Sequence, residues 1–291
     1  MVDKGRMRAV GWNGVVAGGS AARKAAELLC LAVRQVRRIL AADRKEWAAA
    51  LAHGNRDRRP VNGWAESARE RVVELARTKY AGFNHLHMSE KLREEEKLPI
   101  AHSSVRRLLL EAGIASPRKR RAPKHRSRRE RCPKEGMLLQ MDGSPHDWLE
   151  GRGPVMSLLA GIDDATGTVP YAIFRLQEDT PGYFLLLQGI VDRKGCPVAI
   201  YRDRHSIFET STKAPMSLQE QLAGRREPTQ FGRLLEELGI TSIPARSPQA
   251  KGRIERLWGT LQSRLVSGMR LQGVTDLEEA NRVLGTVLHR Y

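Results

Sequence analysis

Apolar positions follow a helical spacing through the first third of the chain and break into short runs after it. Over 21–43, Ala25, Ala26, Leu28 and Leu29 predict one helix and Val33, Val36, Ile39 and Leu40 a second, with a break near Cys30. The run HGNRDRRPVNG at 53–63 mixes Gly, Asn, Pro and charge, which predicts a crossing between modules. A helix over 65–80 follows from Ala68, Val72, Leu75 and Ala76, and another over 87–95 from Met88 and Leu92. Val105, Leu108, Leu109 and Leu110 predict a third, with Ser103 or Ser104 placed to cap it. Two successive helix-turn-helix units are expected.

From 137 onward the pattern is that of a sheet. Residues 137–141, 155–162 and 168–176 read as strands, the last two joined by the turn DDATG at 163–167. A helix over 181–191, a strand over 197–201, a helix over 231–238, a short strand at 242–243 and a long amphipathic helix over 249–267 complete the order βββαβ, then α, β and α. Residues 206–228 are polar and irregular and read as an insertion.

Charge sharpens this division. The formal net charge is +17, yet from Met137 to the end 18 Lys plus Arg face 18 Asp plus Glu, leaving 32 against 15 in residues 1–136. A basic front half ahead of a neutral globular half suits a DNA-binding front, because phosphate neutralisation releases counterions. Arg34, Gln35, Arg37 and Arg38 on the second helix, and Arg106 and Arg107 near the start of a later one, are candidate DNA contacts. Residues 115–135 hold ten Lys or Arg, Arg118, Lys119, Arg120 and Arg121 among them, and form no core; they read as a tether along DNA or a solvated linker. The expected organisation is a helix-turn-helix domain at 1–62, a second at 63–114, a basic linker at 115–136 and a catalytic core at 137–291.

Composition excludes several classes. No stretch reaches the roughly 18 apolar residues of a membrane span, and residues 1–20 are Gly-rich rather than signal-like, so a cytosolic protein without a membrane partner is expected. Cys30, Cys132 and Cys196 are far apart, which suggests neither a disulfide framework nor a zinc knuckle.

Three acids stand out by position. Asp142 follows the first strand in LLQMDGS, and Asp203 follows the fourth in VAIYRDRHS. On neighbouring strands these carboxylates would meet at one sheet edge, where a hard cation favours oxygen ligands. Glu255 lies at the border of the helical stripe Ile254, Leu257, Trp258, Leu261 and Leu265, with Lys251 one turn earlier and Gln262 two turns later. The plainer readings are a turn-forming Asp at each strand end and an ordinary Lys251–Glu255 helix pair. Asp163 and Asp164 read as turn residues hydrogen-bonded within DDATG. His205, two residues past Asp203, either neighbours the active site or packs locally, and Lys251 and Arg253 are candidate phosphate contacts at a helix start.

The motifs VRQVRRIL, HGNRDRRP, YAGFNHLHMSEKL, MDGSPHDWLEGRGP, GIDDATG, YRDRHSIF and SPQAKGRIERLWGTLQ, spread over nearly the whole length, resemble the bacterial insertion-sequence transposases of the DDE retroviral-integrase superfamily, the ISNCY-type group in particular. The resemblance implies an α/β RNase H-like core, a mixed five-stranded sheet with flanking helices, behind all-α helix-turn-helix domains. It implies Asp142, Asp203 and Glu255 as catalytic, metal-binding residues for two Mg²⁺ or Mn²⁺ ions, with Asp142 bridging both. It further implies double-stranded DNA partners, the terminal inverted repeats and a target, and a homo-oligomer on the bacterial nucleoid. Departures from that pattern are the 52-residue step from Asp203 to Glu255, Cys30 where relatives have a turn Gly, and Ala32 where they have a capping Ser. Residues 1–20 lack the expected helical start and the sequence stops at Tyr291, so a truncated or decaying copy is expected. A DNA-binding regulator without strand transfer, and a structure-directed nuclease, are the competing functions.

Overall fold

The computed structural model describes residues 22–46, 63–117, 130–210, 215–224, 226–245 and 251–289. Contacts divide the chain into two compact units, Met1–Ala65 and Glu66–Tyr291. In the first, α1 (Ala22–Leu29) and α2 (Val33–Glu46) close on Ala25, Ala26 and Val36. The chain reverses through Cys30 at φ 49°, a left-handed turn where a Cβ is strained. Arg34, Gln35, Arg37 and Arg38 all lie on the exposed side of α2.

The second unit opens with α3 (Glu66–Arg77), α4 (His85–Glu94) and α5 (His102–Glu111), which enclose Val72, Leu75, Tyr80, Met88, Leu92, Ile100 and Leu109. Asn84 caps α4 by accepting from His87 N at 2.8 Å. The serine cap expected for α5 is not formed: the helix starts at His102 behind Ala101, so Ser103 and Ser104 lie inside its first turn.

Strands β1 (Leu139–His146), β2 (Met156–Asp163), β3 (Tyr171–Arg175), β4 (Ala199–Arg202) and β5 (Thr241–Pro244) form one mixed sheet in the order β3-β2-β1-β4-β5. The first three pair antiparallel, β4 runs parallel to β1, and β5 parallel to β4. Between them run α6 (Thr180–Lys194), α7 (Leu218–Ala223) and α8 (Gln230–Glu237), and after β5 come α9 (Gly252–Leu271) and α10 (Leu277–Leu288). Strand β2, MSLLAGID, is buried along its whole length because helices cover both faces. On one face Leu158, Ala160 and Phe174 meet Ile254, Leu257, Trp258, Leu261 and Leu265 of α9 and Ala280 and Leu284 of α10. On the other, Leu139, Met141 and Ile200 meet Tyr183, Leu186 and Ile190 of α6 and Phe231 and Leu235 of α8. This is the RNase H-like layout expected from the sequence.

Three elements differ from their expected form. Strand β1 runs on to His146, so Asp142 sits within it, opposite Ala160, rather than at its end. Within the stretch read as irregular, Ser217 and Glu220 make a reciprocal capping box that starts α7. Helix α10, not anticipated, is capped by Asp276 accepting from Glu279 N. Among the described residues no helix is long and apolar enough to cross a membrane.

Helix α9 is also the element on which α3–α5 rest. Arg264 makes two hydrogen bonds to Glu90, at 2.7 and 2.9 Å, Asn84 donates to Ser263 at 2.6 Å, and Ser267 meets His87 at 3.4 Å.

Candidate active site

Side chains along a strand alternate between faces. In β1, Leu139 and Met141 enter the α6–α8 core, which turns Gln140, Asp142 and Ser144 toward α9. Strand β4 lies beside β1 with Leu139 opposite Ile200 and Gln140 opposite Tyr201; two further residues in that register set Asp142 beside Asp203. Two like charges so placed repel unless a cation lies between them. In this structure the cation is the Lys251 ammonium, 2.5 Å from Asp142 Oδ1 and 4.0 Å from Asp203 Oδ2. The Lys251 side chain is 9% exposed, against 19% for Asp142 and 43% for Asp203.

Both aspartates are oriented from their second oxygen. Trp258, from the apolar stripe of α9, donates its indole N–H to Asp142 Oδ2 at 3.0 Å. Asp203 Oδ1 accepts from His205 N at 2.9 Å, which pins the turn after β4. The His205 ring is exposed, with Nδ1 accepting from Ile207 N at 3.3 Å. Gln262 reaches Ser144 Oγ at 3.2 Å, so α9 lies along β1.

Glu255 is exposed near the start of α9 and does not join the aspartate pair here. Among the described residues no three His, Cys, Asp or Glu side chains form a metal-holding group. The aspartate pair nevertheless fits a divalent cation: two carboxylate oxygens of the kind a hard cation prefers face a point that already carries positive charge.

Sequence reasoning missed the floor beneath this pair. Tyr183 of α6 donates to Glu178 Oε1 at 2.6 Å, and burial, then the charges of Glu178, Asp142 and Asp203, push its hydroxyl well above the ordinary tyrosine range. A Cβ at Gly143 would lie 2.5 Å from Glu178 Oε2, so only glycine lets this carboxylate approach β1. The G of MDGS was the one available signal; nothing in the sequence pairs it with Glu178.

The GIDDATG turn does more than turn. Asp163 accepts from Thr166 N and Oγ1 as expected, and also from Gly136 N. Asp164, wholly buried, accepts from Cys132 N and from Gln140 Nε2, and pairs with Arg253 Nε at 3.2 Å. The turn therefore ties the end of the basic linker to the first turn of α9. Lys251 and Arg253, candidate phosphate contacts, are both held by carboxylates here. Arg106 and Arg107 are exposed on α5, whereas Arg118, Lys119, Arg120 and Arg121 lie outside the described residues.

The sheet order, with two aspartates brought side by side on β1 and at the end of β4, defines the class as an RNase H-like α/β core behind helical modules. No protein-family model matches the sequence. The chain is 38% identical over 267 residues to a protein of Sinorhizobium fredii bearing the name transposase y4bF, covering 92% of this chain and 57% of that protein. It is 31% identical to the transposase for insertion sequence IS1202 of Streptococcus pneumoniae, covering 93% of this chain and 64% of that one. The chain is thus homologous to these two proteins, and it spans between about half and two thirds of their length. Among solved structures, the HTLV-2 integrase catalytic core domain in complex with magnesium matches 50% of this chain and 80% of that one, at 15% identity and a TM-score of 0.38. The simian T-cell lymphotropic virus intasome in complex with PP2A regulatory subunit B56 gamma matches 73% and 66%, at 16% identity and the same score. The fold assignment rests on the strand order and pairing above.

Proposed function

We propose that this chain is a DNA transposase that cleaves the ends of an insertion sequence and joins them to a target by phosphoryl transfer at Asp142, Asp203 and Glu255. The observation that carries the reading is the aspartate pair sharing one cation position on an RNase H-like sheet, in a homologue of named transposases.

Asp142 and Asp203 would hold magnesium or manganese, and Glu255, exposed one turn past Lys251, would complete the ligand set by turning its side chain inward. Two divalent ions there supply charge neutralisation and alignment for an in-line displacement at phosphorus. Trp258 and the backbone of His205 keep one oxygen of each aspartate fixed, leaving the others for the cation. The exposed row Arg34, Gln35, Arg37 and Arg38 would read the terminal repeats, and Arg106 and Arg107 would neutralise phosphates. Two ends must be brought together, so a homo-oligomer assembled on DNA in the bacterial cytoplasm is part of the reading.

A DNA-binding regulator is the second reading, favoured by the exposed position of Glu255. Incubating the chain with labelled DNA carrying the element's ends, in Mg²⁺ or Mn²⁺, separates the two. A transposase yields nicked ends and joined products; a regulator retards the DNA and leaves it intact.

A further inference from the structure

We propose that Lys251 is a resident counter-ion of the aspartate pair, which a divalent cation must displace, and that the released ammonium then serves DNA, so that metal and DNA binding are coupled through this one side chain. The proposal rests on the reading of Asp142 and Asp203 as metal ligands and adds the role of the lysine.

The ammonium is 2.5 Å from Asp142 Oδ1 and 4.0 Å from Asp203 Oδ2. A magnesium ion bound to Asp142 Oδ1 would sit about 2.1 Å from that oxygen. Ammonium and ion cannot both occupy that position, and their charges repel. The second oxygen of each aspartate is already committed, to the Trp258 indole and to His205 N, so the carboxylates cannot turn to offer a separate site without breaking those bonds.

Lys251 can leave without a movement of the backbone. It stands at the N-cap of α9, outside the hydrogen-bonded ladder, with Gly252 next to it, and its unbranched four-carbon stem allows the ammonium to swing without moving the helix. Arg253, in contrast, is tied to buried Asp164 at 3.2 Å and keeps the first turn of α9 in place during the exchange. Once displaced from the carboxylates, the ammonium has a phosphate as its natural acceptor. DNA therefore removes the competitor of the metal, and the metal frees a cation for DNA; by linkage each tightens the other.

The test is Mn²⁺ binding to the full chain without DNA, followed by the electron paramagnetic resonance of free Mn²⁺. Lys251→Met keeps the apolar stem and loses the charge; Lys251→Arg keeps the charge. The expected result is binding about tenfold tighter for Lys251→Met than for the unmutated chain, and no gain for Lys251→Arg. Affinities for the unmutated chain and Lys251→Met within twofold of each other overturn the proposal. Adding Asp142→Asn to Lys251→Met separates this from the underlying reading: lost Mn²⁺ binding upholds the aspartate site, and retained binding overturns both. Should Lys251→Met fail to fold, ¹⁵N NMR of the unmutated chain decides instead. The protected Lys251 ammonium signal is expected to vanish as Mg²⁺ is added; a signal that persists at saturating Mg²⁺ overturns the proposal.

Discussion

Among the described residues, α1 and α2 close on two alanines and a valine, whereas α3–α5 surround a core that includes Tyr80, Phe83, Met88, Leu92 and Ile100 and are joined to α9 by Arg264, Ser263 and Ser267. Both sets read as helix-turn-helix units in the sequence, with similar apolar spacing and similar basic residues. The second packs on α9, the helix that brings Trp258 to the aspartate pair. The first presents a row of exposed Arg and Gln; the second packs against the core in which chemistry is proposed to occur.

Core truncation is the largest test of that contrast. Leu92→Ala, at a fully buried site, is expected to cost about 2–5 kcal/mol and to lower the main unfolding transition in urea. Val36→Ala removes two methyl groups at about 0.8 kcal/mol each and should leave that main transition where it is. Equal shifts of the main transition by both variants would break the distinction. A smaller effect is expected at the seam with α9: a double-mutant cycle of Glu90→Ala and Arg264→Ala should give a coupling of about 1 kcal/mol, since the pair is two-pronged and partly buried. A coupling of zero would mean that the seam is held by packing alone.

The smallest effect is a pH dependence confined to α3–α5. Burial alone would raise the Glu95 carboxyl, but hydrogen bonds from Lys91 and Lys79 outweigh it and hold the group at about 2 against an ordinary 4.5. A depressed folded value means that the stabilisation is complete above pH 4.5 and drains away as pH falls toward about 2. Glu95→Gln should flatten the slope of the urea midpoint over that window; an unchanged slope assigns the acid loss to other groups.

Much of this fold was legible because its signals are local. The stripe Ile254, Leu257, Trp258, Leu261 and Leu265 announced α9, and the short apolar runs announced four of the five strands closely. Helix α7 escaped because six residues are too few for periodicity, although the S-x-x-E of its capping box was there to be read. Asp142 and Asp203 were legible from their places after apolar runs, and sheet register brings them side by side. The partners that define their environment were not. Lys251 reaching Asp142, Trp258 turning its N–H onto the same carboxylate and Glu178 approaching Gly143 are long-range contacts that no local spacing announces. For Asp164 the turn reading was sound as far as it went, and its grip on Arg253 is visible only in three dimensions.

The most direct test of the central claim is cleavage of a labelled element end in Mg²⁺ by Asp142→Asn beside the unmutated chain, with DNA binding measured on the same samples. Loss of several kcal/mol of charge stabilisation at the reacting phosphorus predicts a rate at least about 10³-fold lower with binding retained. Nicking at an undiminished rate would contradict the account.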